Sequence, residues 1–88
     1  MRSTLEKSIF TKDYTLFLLL LRNVRKTAGL TQEQVAERLQ QTQSFVSKCE
    51  RGERRIDVIE LRAFCQAIGI PLEDFIQQLK NVLKQGKI

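Results

Sequence analysis

The chain has 88 residues, of which 42% are apolar, and its 15 Lys and Arg side chains against 10 Asp and Glu give a net charge of +5. A chain of this length forms one small domain, which excludes a second domain with its own core, and the basic balance favours an anionic partner. The excess charge lies in residues 1–30, with six basic and two acidic side chains, whereas residues 31–57 carry five of each.

Patterns typical of catalysis and metal binding are missing from the sequence. It has no His, no glycine-rich phosphate loop and no Ser or Cys beside a base, so we predict no enzyme activity, no metal and no cofactor. Cys49 and Cys65 lie at inward helical positions, where a thiol behaves as a small hydrophobe, as is usual in the reducing cytoplasm. The longest apolar run, residues 16–21, is too short to span a bilayer, and no export signal is recognisable. We therefore expect a cytoplasmic protein without membrane contact.

The first helix is predicted over residues 13–27, and residues 1–12 are expected to form an N-terminal tail. Apolar residues at three- and four-residue spacing give this helix its core face: Phe10, Tyr14, Phe17, Leu21, Val24 and Ala28. The second helix is predicted over residues 32–39, because Thr31 with Gln34 three positions later has the pattern of a capping box.

Further leucines make the first helix apolar on almost every side: Leu16, Leu18, Leu19 and Leu20. A five-helix monomer of this size leaves such a helix partly uncovered, and exposed apolar patches commonly mark partner sites. We predict a homodimer interface at these four leucines. Packing by residues 1–12, or by a fifth helix that folds back, is the alternative.

Three more helices follow the second one. The third is predicted to start after Thr42, whose hydroxyl suits an N-cap, and the fourth to start after Asp57. The fifth begins at Pro71, since proline fits the first turn of a helix. We therefore assign the domain to residues 13–83 and a C-terminal tail to residues 84–88.

The third helix has two faces of different chemistry. Successive helical residues lie about 100° apart, which puts the apolar Phe45, Val46 and Cys49 on one side. The other side carries hydrogen-bonding and charged tips: Gln43, Ser44, Ser47, Lys48 and Arg51. Base edges and phosphates in a major groove would use such a face. Only Gln40 and Gln41 separate this segment from the second helix, so the two helices cross steeply, as in a helix-turn-helix.

The run "GLTQEQVAERL", followed by "QQTQSFVSKCERGERR" and "DVIELRAFCQAIGIPLEDF", resembles the helix-turn-helix domain of phage repressors and Cro-type regulators, also called the xenobiotic-response-element (XRE) family. The resemblance covers about residues 21–75, and several features match in order over one continuous stretch. It implies an all-α, five-helix, lambda-repressor-like domain that binds double-stranded DNA, with the helix-turn-helix at helices two and three.

The resemblance also implies roles for individual residues. Positions that read bases in the family are matched by Gln43, Ser44, Ser47 and Lys48. Positions that bind DNA phosphates are matched by Gln32, Thr42, Arg51, Arg54 and Arg55. Arg25 and Glu50 match a pair that commonly forms an internal salt bridge between helices one and three.

Two positions depart from the family pattern. Gln40 stands at the turn position usually filled by glycine, which implies either a left-handed glutamine at a steric cost or an altered turn. Phe45 stands where a small or polar residue is frequent. Its ring is therefore expected to be half exposed and to pack against sugar-phosphate or a thymine methyl.

Two functions are compatible with these features. The first is a sequence-specific transcriptional regulator, a homodimer that reads a palindromic operator with the helix at residues 43–50. The alternative is a protein-interaction module on the same fold, such as an antitoxin or anti-repressor, which the leucine-rich first helix would serve. No small-molecule ligand is evident from the sequence.

Overall fold

Five helices build the fold in the computed structural model, which describes the backbone of residues 7–88 and the side chains from Thr11 onward. They are α1 (Lys7–Thr27), α2 (Gln32–Leu39), α3 (Gln43–Glu50), α4 (Val58–Ile68) and α5 (Leu72–Gln85). Residues 7–88 contain no strand, and the predicted all-α fold with five helices is confirmed. None of these helices is long and apolar enough to cross a membrane.

The first and last helices are longer than predicted. α1 begins at Lys7 instead of residue 13, because residues 7–12 contain no Pro or Gly that would interrupt a helix. Residues 7–12 are therefore helical and not a tail, while residues 1–6 and the predicted inward side chain of Phe10 lie outside the described part. α5 continues to Gln85 and ends at Gly86, whose φ of 75° closes the helix in the left-handed conformation.

The predicted caps of the inner helices are confirmed. The Thr31 hydroxyl accepts a hydrogen bond from the Gln34 backbone N–H, and the Gln34 side chain accepts one from the Thr31 N–H, at 3.1 and 2.9 Å. This is the reciprocal capping box, and Asp57 with Glu60 forms a second one at the start of α4. Thr42 caps α3 by accepting from the Phe45 N–H at 3.1 Å. Local side chains thus satisfy some of the backbone N–H groups at these helix starts.

The core lies where α1 meets α3 and α5, and where α4 meets α2 and α5. Phe17 of α1 contacts Phe75 of α5 edge to face, with 5.9 Å between ring centroids. Phe64 of α4 and Leu21 of α1 are also fully buried, and each such side chain contributes about 1.5–3 kcal/mol by leaving water. The packing of α1 and α4 fixes the support on which α3 rests.

Three of the four leucines assigned to a dimer interface lie inside the monomer. Leu16, Leu18 and Leu20 are buried, and only Leu19 is exposed, at 46% of its surface. The prediction was wrong for those three because α1 packs against both α3 and α5, which cover more of its circumference than the sequence suggested. The loop after α3 also approaches α1 closely, since a Cβ added at Gly52 would lie 3.1 Å from a Leu18 methyl.

The turn between α2 and α3 contains a left-handed glutamine. Gln40 has φ 57° and ψ 42°, so the first of the two alternatives for this position is correct. Its backbone N–H donates to the Glu37 carbonyl at 3.1 Å, and the Gln41 N–H donates to the Ala36 carbonyl at 2.9 Å. These bonds satisfy the last carbonyls of α2, and they offset the cost of about 1–2 kcal/mol that an L side chain incurs in this region.

Candidate nucleic-acid interface

α3 is anchored through its inner face. Val46 and Cys49 are fully buried in the core. Burial raises the pKa of the Cys49 thiol and raises the pKa of Cys65 in α4 to about 11. Both thiols therefore stay protonated at neutral pH and pack as small apolar groups, as predicted, instead of acting as nucleophiles.

The outer face of α3 presents the four side chains predicted to read bases. Gln43 and Ser44 occupy the exposed first turn, Lys48 is exposed one turn later, and Ser47 beside it is half-buried. Because residues one turn apart lie on the same side of a helix, these side chains form one continuous polar surface. Together they provide amide, hydroxyl and ammonium groups that can donate to or accept from base edges.

The N-termini of α2 and α3 border this polar surface. Thr42 is exposed, but its hydroxyl oxygen is engaged by the cap of α3. Gln32, predicted to bind a phosphate, is half-buried, and its side-chain amide donates to Glu50 Oε1 at 3.0 Å. The first turn of each helix also has backbone N–H groups without a carbonyl partner inside the helix. These groups can donate hydrogen bonds to an anion such as a phosphate.

Arg25 and Glu50 form an ion pair that joins α1 to α3. The Arg25 guanidinium donates to both Glu50 carboxylate oxygens, at 2.7 and 3.0 Å, and to the Leu30 carbonyl at 2.8 Å. The two side chains are almost completely shielded from water. With the Gln32 amide as a third donor to Glu50, this network fixes the position of α3 relative to α1 and α2.

Arg51 lies immediately after α3 and is held by two side chains. Its Nε donates to a Glu53 carboxylate oxygen at 2.8 Å, and one of its terminal nitrogens donates to the Ser47 hydroxyl at 2.7 Å. Arg51, and to a smaller extent the ammonium of Lys48, lowers the pKa of the Glu53 carboxyl. A carboxylate is therefore present at neutral pH beside two of the side chains predicted to contact DNA.

Phe45 lies between an arginine and the core. Its ring is half-buried and stacks on Phe64 with 6.3 Å between centroids, and the Arg54 guanidinium carbon lies over the same ring, 4.8 Å from its centroid. Arg54 also pairs with Glu60 at 2.7 Å and lowers the pKa of that carboxyl. The stack holds Arg54 in place at the edge of the polar surface, with part of the guanidinium in solvent.

Arg55 is held against α1 by an aromatic contact. Its guanidinium lies 4.4 Å from the centre of the Tyr14 ring, and the Tyr14 hydroxyl accepts a hydrogen bond from the Ile56 N–H at 3.0 Å. The loop between α3 and α4 is thus attached to α1 by two contacts to one side chain. Sequence reasoning placed Tyr14 on the core face and gave no signal for this contact, which joins residues 41 positions apart.

Two acidic partners of these arginines were not predicted: Glu53 beside Arg51 and Glu60 beside Arg54. The pairing of Glu60 with Arg54 depends on how the loop folds back over α4. Four cations lie on the polar surface of α3 and the loop after it: Lys48, Arg51, Arg54 and Arg55. Three carboxylates lie beside them, Glu53 and Asp57 in the loop and Glu60 in α4, so these seven side chains sum to only +1. The position of each arginine therefore matters more for a contact with phosphate than the net charge of this region.

Comparison with known proteins identifies this arrangement. A family profile described as "Helix-turn-helix domain" matches residues 17–75, which include α2, α3 and α4 in full. A solved structure, an XRE-family like protein from Pseudomonas syringae pv. tomato, is 42% identical in sequence and has a TM-score of 0.82. That similarity covers 91% of this chain and 98% of the other. The chain belongs to the XRE family of helix-turn-helix proteins.

Membership of the XRE family confirms the resemblance and gives the chain a DNA-binding fold, one that is generally not enzymatic. A further relative is the "Uncharacterized HTH-type transcriptional regulator y4dJ" of Sinorhizobium fredii, 43% identical over 47 residues, or 53% of this chain. The match spans 61% of the length of that relative. In the XRE helix-turn-helix of this chain, α2 is the supporting helix and α3 the second helix of the motif.

Proposed function

We propose that this XRE-family chain is a cytoplasmic transcriptional regulator that binds double-stranded DNA in a sequence-specific manner, with α3 in the major groove. The polar surface of α3 supports this most directly. Gln43, Ser44, Ser47 and Lys48 all lie on one side of a helix whose opposite side is fixed in the core. In the usual docking of a helix-turn-helix, the N-terminal residues of the second helix contact base edges while the first helix crosses the backbone.

Phosphate contacts would flank the base contacts on both sides. Gln32 and Thr42 lie at the N-termini of α2 and α3, where backbone N–H groups and the helix dipole favour an anion. On the other side, Arg54 and Arg55 lie in the loop after α3, where their contacts with the Phe45 and Tyr14 rings already restrict their rotamers and so suit them to bind phosphates. Arg51, the third arginine of this loop, is held by Ser47 and Glu53 instead.

A homodimer on a palindromic operator completes the proposal. Of the leucines first assigned to the interface only Leu19 is exposed, and α5 adds the exposed Ile76 and Leu83. Ile76 and Leu83 are two turns apart and so share one side of α5, which packs on α1. Association through this surface would present two copies of α3 to half-sites about 34–36 Å apart.

Selection from a library of random DNA duplexes tests the function. The expected result is an enriched inverted repeat that the protein binds at least about a thousandfold more tightly than random duplex. Both affinities should fall steeply as salt rises, since binding to phosphates releases counterions. A protein that enriches no sequence, or binds selected and random duplexes equally, would not be a sequence-specific regulator.

The protein-interaction alternative loses its main support. It was motivated by the leucine-rich first helix, and three of those leucines are buried in the monomer. Co-purification separates the two functions, because an antitoxin or anti-repressor would yield a stoichiometric partner protein.

A further inference from the structure

Ser47, Arg51 and Glu53 form a chain of hydrogen bonds at the C-terminal end of α3. Arg51 is the centre of this chain and donates to Glu53 at 2.8 Å and to the Ser47 hydroxyl oxygen at 2.7 Å. A hydroxyl has one hydrogen to donate and two lone pairs to accept with. Because one lone pair of Ser47 is occupied by a charged donor, its own hydrogen points away from Arg51.

The position of Glu53 is fixed by the backbone. Its N–H donates to the Lys48 carbonyl at 2.9 Å, in the turn that ends α3. The carboxylate therefore lies at the negative end of the helix dipole, where a negative charge is unfavourable. It also lies among the residues proposed to bind phosphates, so neither helix stability nor general affinity for DNA explains an acidic side chain here.

The Arg51–Glu53 pair is not required for the fold. Both side chains are more than half exposed, and water and salt screen an exposed ion pair so that it adds little to stability. α3 is held by Val46, Cys49 and the Arg25–Glu50 pair instead. Substitutions in this hydrogen-bond chain should therefore leave the domain folded.

We infer that Glu53 is a positioning residue for base recognition, acting through Arg51. It keeps Arg51 on the Ser47 hydroxyl, so that Ser47 faces DNA as a hydrogen-bond donor, and it withholds Arg51 from the phosphate backbone. In a major groove, a donor selects the acceptor edges, namely guanine O6 and N7, adenine N7 and thymine O4, over the amino group of cytosine. This inference rests on the proposed function and gives Ser47 a definite base chemistry.

Glu53→Gln is the decisive variant, and Glu73→Gln is its control, because Glu73 is an exposed carboxylate on α5 outside the proposed DNA surface. Both variants and the wild type are titrated with the selected operator, its single-base-pair variants and random duplex. We expect Glu53→Gln to bind random duplex more tightly at low salt, because Arg51 is released to a phosphate. One added phosphate contact makes the slope of log affinity against log salt concentration steeper by about 0.9. The variant should therefore lose about threefold more affinity than the wild type between 50 and 200 mM salt.

Base preference is the second readout. Glu53→Gln should lose discrimination at one base pair of the operator, and Ser47→Ala should lose it at the same base pair, whereas Glu73→Gln should match the wild type. If Glu53→Gln keeps the wild-type salt dependence, or if it and Ser47→Ala affect different base pairs, the inference is overturned while the proposed function stands. A wild type that selects no sequence would instead overturn the proposed function itself.

Discussion

At the scale of single residues, burial separates two ion pairs of the same chemistry. Arg25 and Glu50 have side chains 7% and 4% exposed, whereas those of Arg51 and Glu53 are 56% and 54% exposed. Removing one partner of a buried pair leaves a charge without compensation, while removing one partner of an exposed pair lets water take its place. The buried pair therefore belongs to the fold, and the exposed pair is available to respond to DNA.

Glu50→Ala should lower the free energy of unfolding by about 3 kcal/mol, because it leaves the buried Arg25 guanidinium and the Gln32 amide without their acceptor. Glu53→Ala, the matched substitution in the exposed pair, should leave the midpoint of urea unfolding close to that of the wild type. Equilibrium urea unfolding at neutral pH measures both. Equal midpoints for the two variants would show that the Arg25–Glu50 pair does not stabilise the domain.

Residue pairs were predictable only in part. The Arg25–Glu50 pair was expected, because the family resemblance relates two positions that are distant in sequence. The contacts of Arg51 with Ser47 and of Arg55 with Tyr14 were not expected, because they depend on the path of one loop and on side-chain rotamers. Sequence patterns report burial and helix periodicity, and neither property specifies which partner an exposed arginine will choose.

At the scale of helices, local signals placed the inner boundaries well. Thr31 caps α2 where the capping-box pattern predicted, because the pattern itself describes the hydrogen bonds, and α4 starts after Asp57 as predicted. The start of α1 was missed by six residues, since no Pro or Gly in residues 7–12 interrupts the helix. Val58 is 63% exposed although it is apolar, since the first residue of α4 precedes the turns that pack on the core.

The turn between α2 and α3 provides a prediction for these helices. Gln40→Gly should raise the free energy of unfolding by about 1 kcal/mol, because glycine adopts the left-handed conformation without a Cβ clash. Gln41→Gly is the matched control. Gln41 has no positive φ, so glycine there should be neutral or destabilising. Thermal unfolding of both variants measures the effect, and a Gln40→Gly variant less stable than the wild type would mean that this turn is not strained.

At the scale of the whole molecule, the buried leucines change where self-association is expected. An apolar helix of a small domain looked uncovered in the sequence, because the sequence does not show how many neighbours a central helix has. The structure places α1 between α3 and α5, and the large apolar side chains that remain exposed among the described residues are divided between α1, the start of α4, α5 and Ile88 after α5. The proposed dimer surface is consequently smaller and is centred on Leu19, Ile76 and Leu83.

Leu19→Asp tests whether this surface joins two copies of the chain. Two carboxylates placed in an apolar interface would have to lose their hydration, so the variant should sediment as a monomer at concentrations where the wild type is a dimer. Affinity for a palindromic operator should then fall about a hundredfold or more, because the second half-site is no longer bound at a high effective concentration. Affinity for an isolated half-site should be unchanged.

Ile59→Asp is the control, since Ile59 is also an exposed apolar residue but lies near the start of α4, outside the proposed interface. It should sediment like the wild type. If Ile59→Asp yields the monomer and Leu19→Asp does not, the two copies meet at the start of α4 instead, beside the loop that carries Arg54 and Arg55. The spacing of the two α3 helices, and hence of the half-sites in the selected operator, would then be set by that contact.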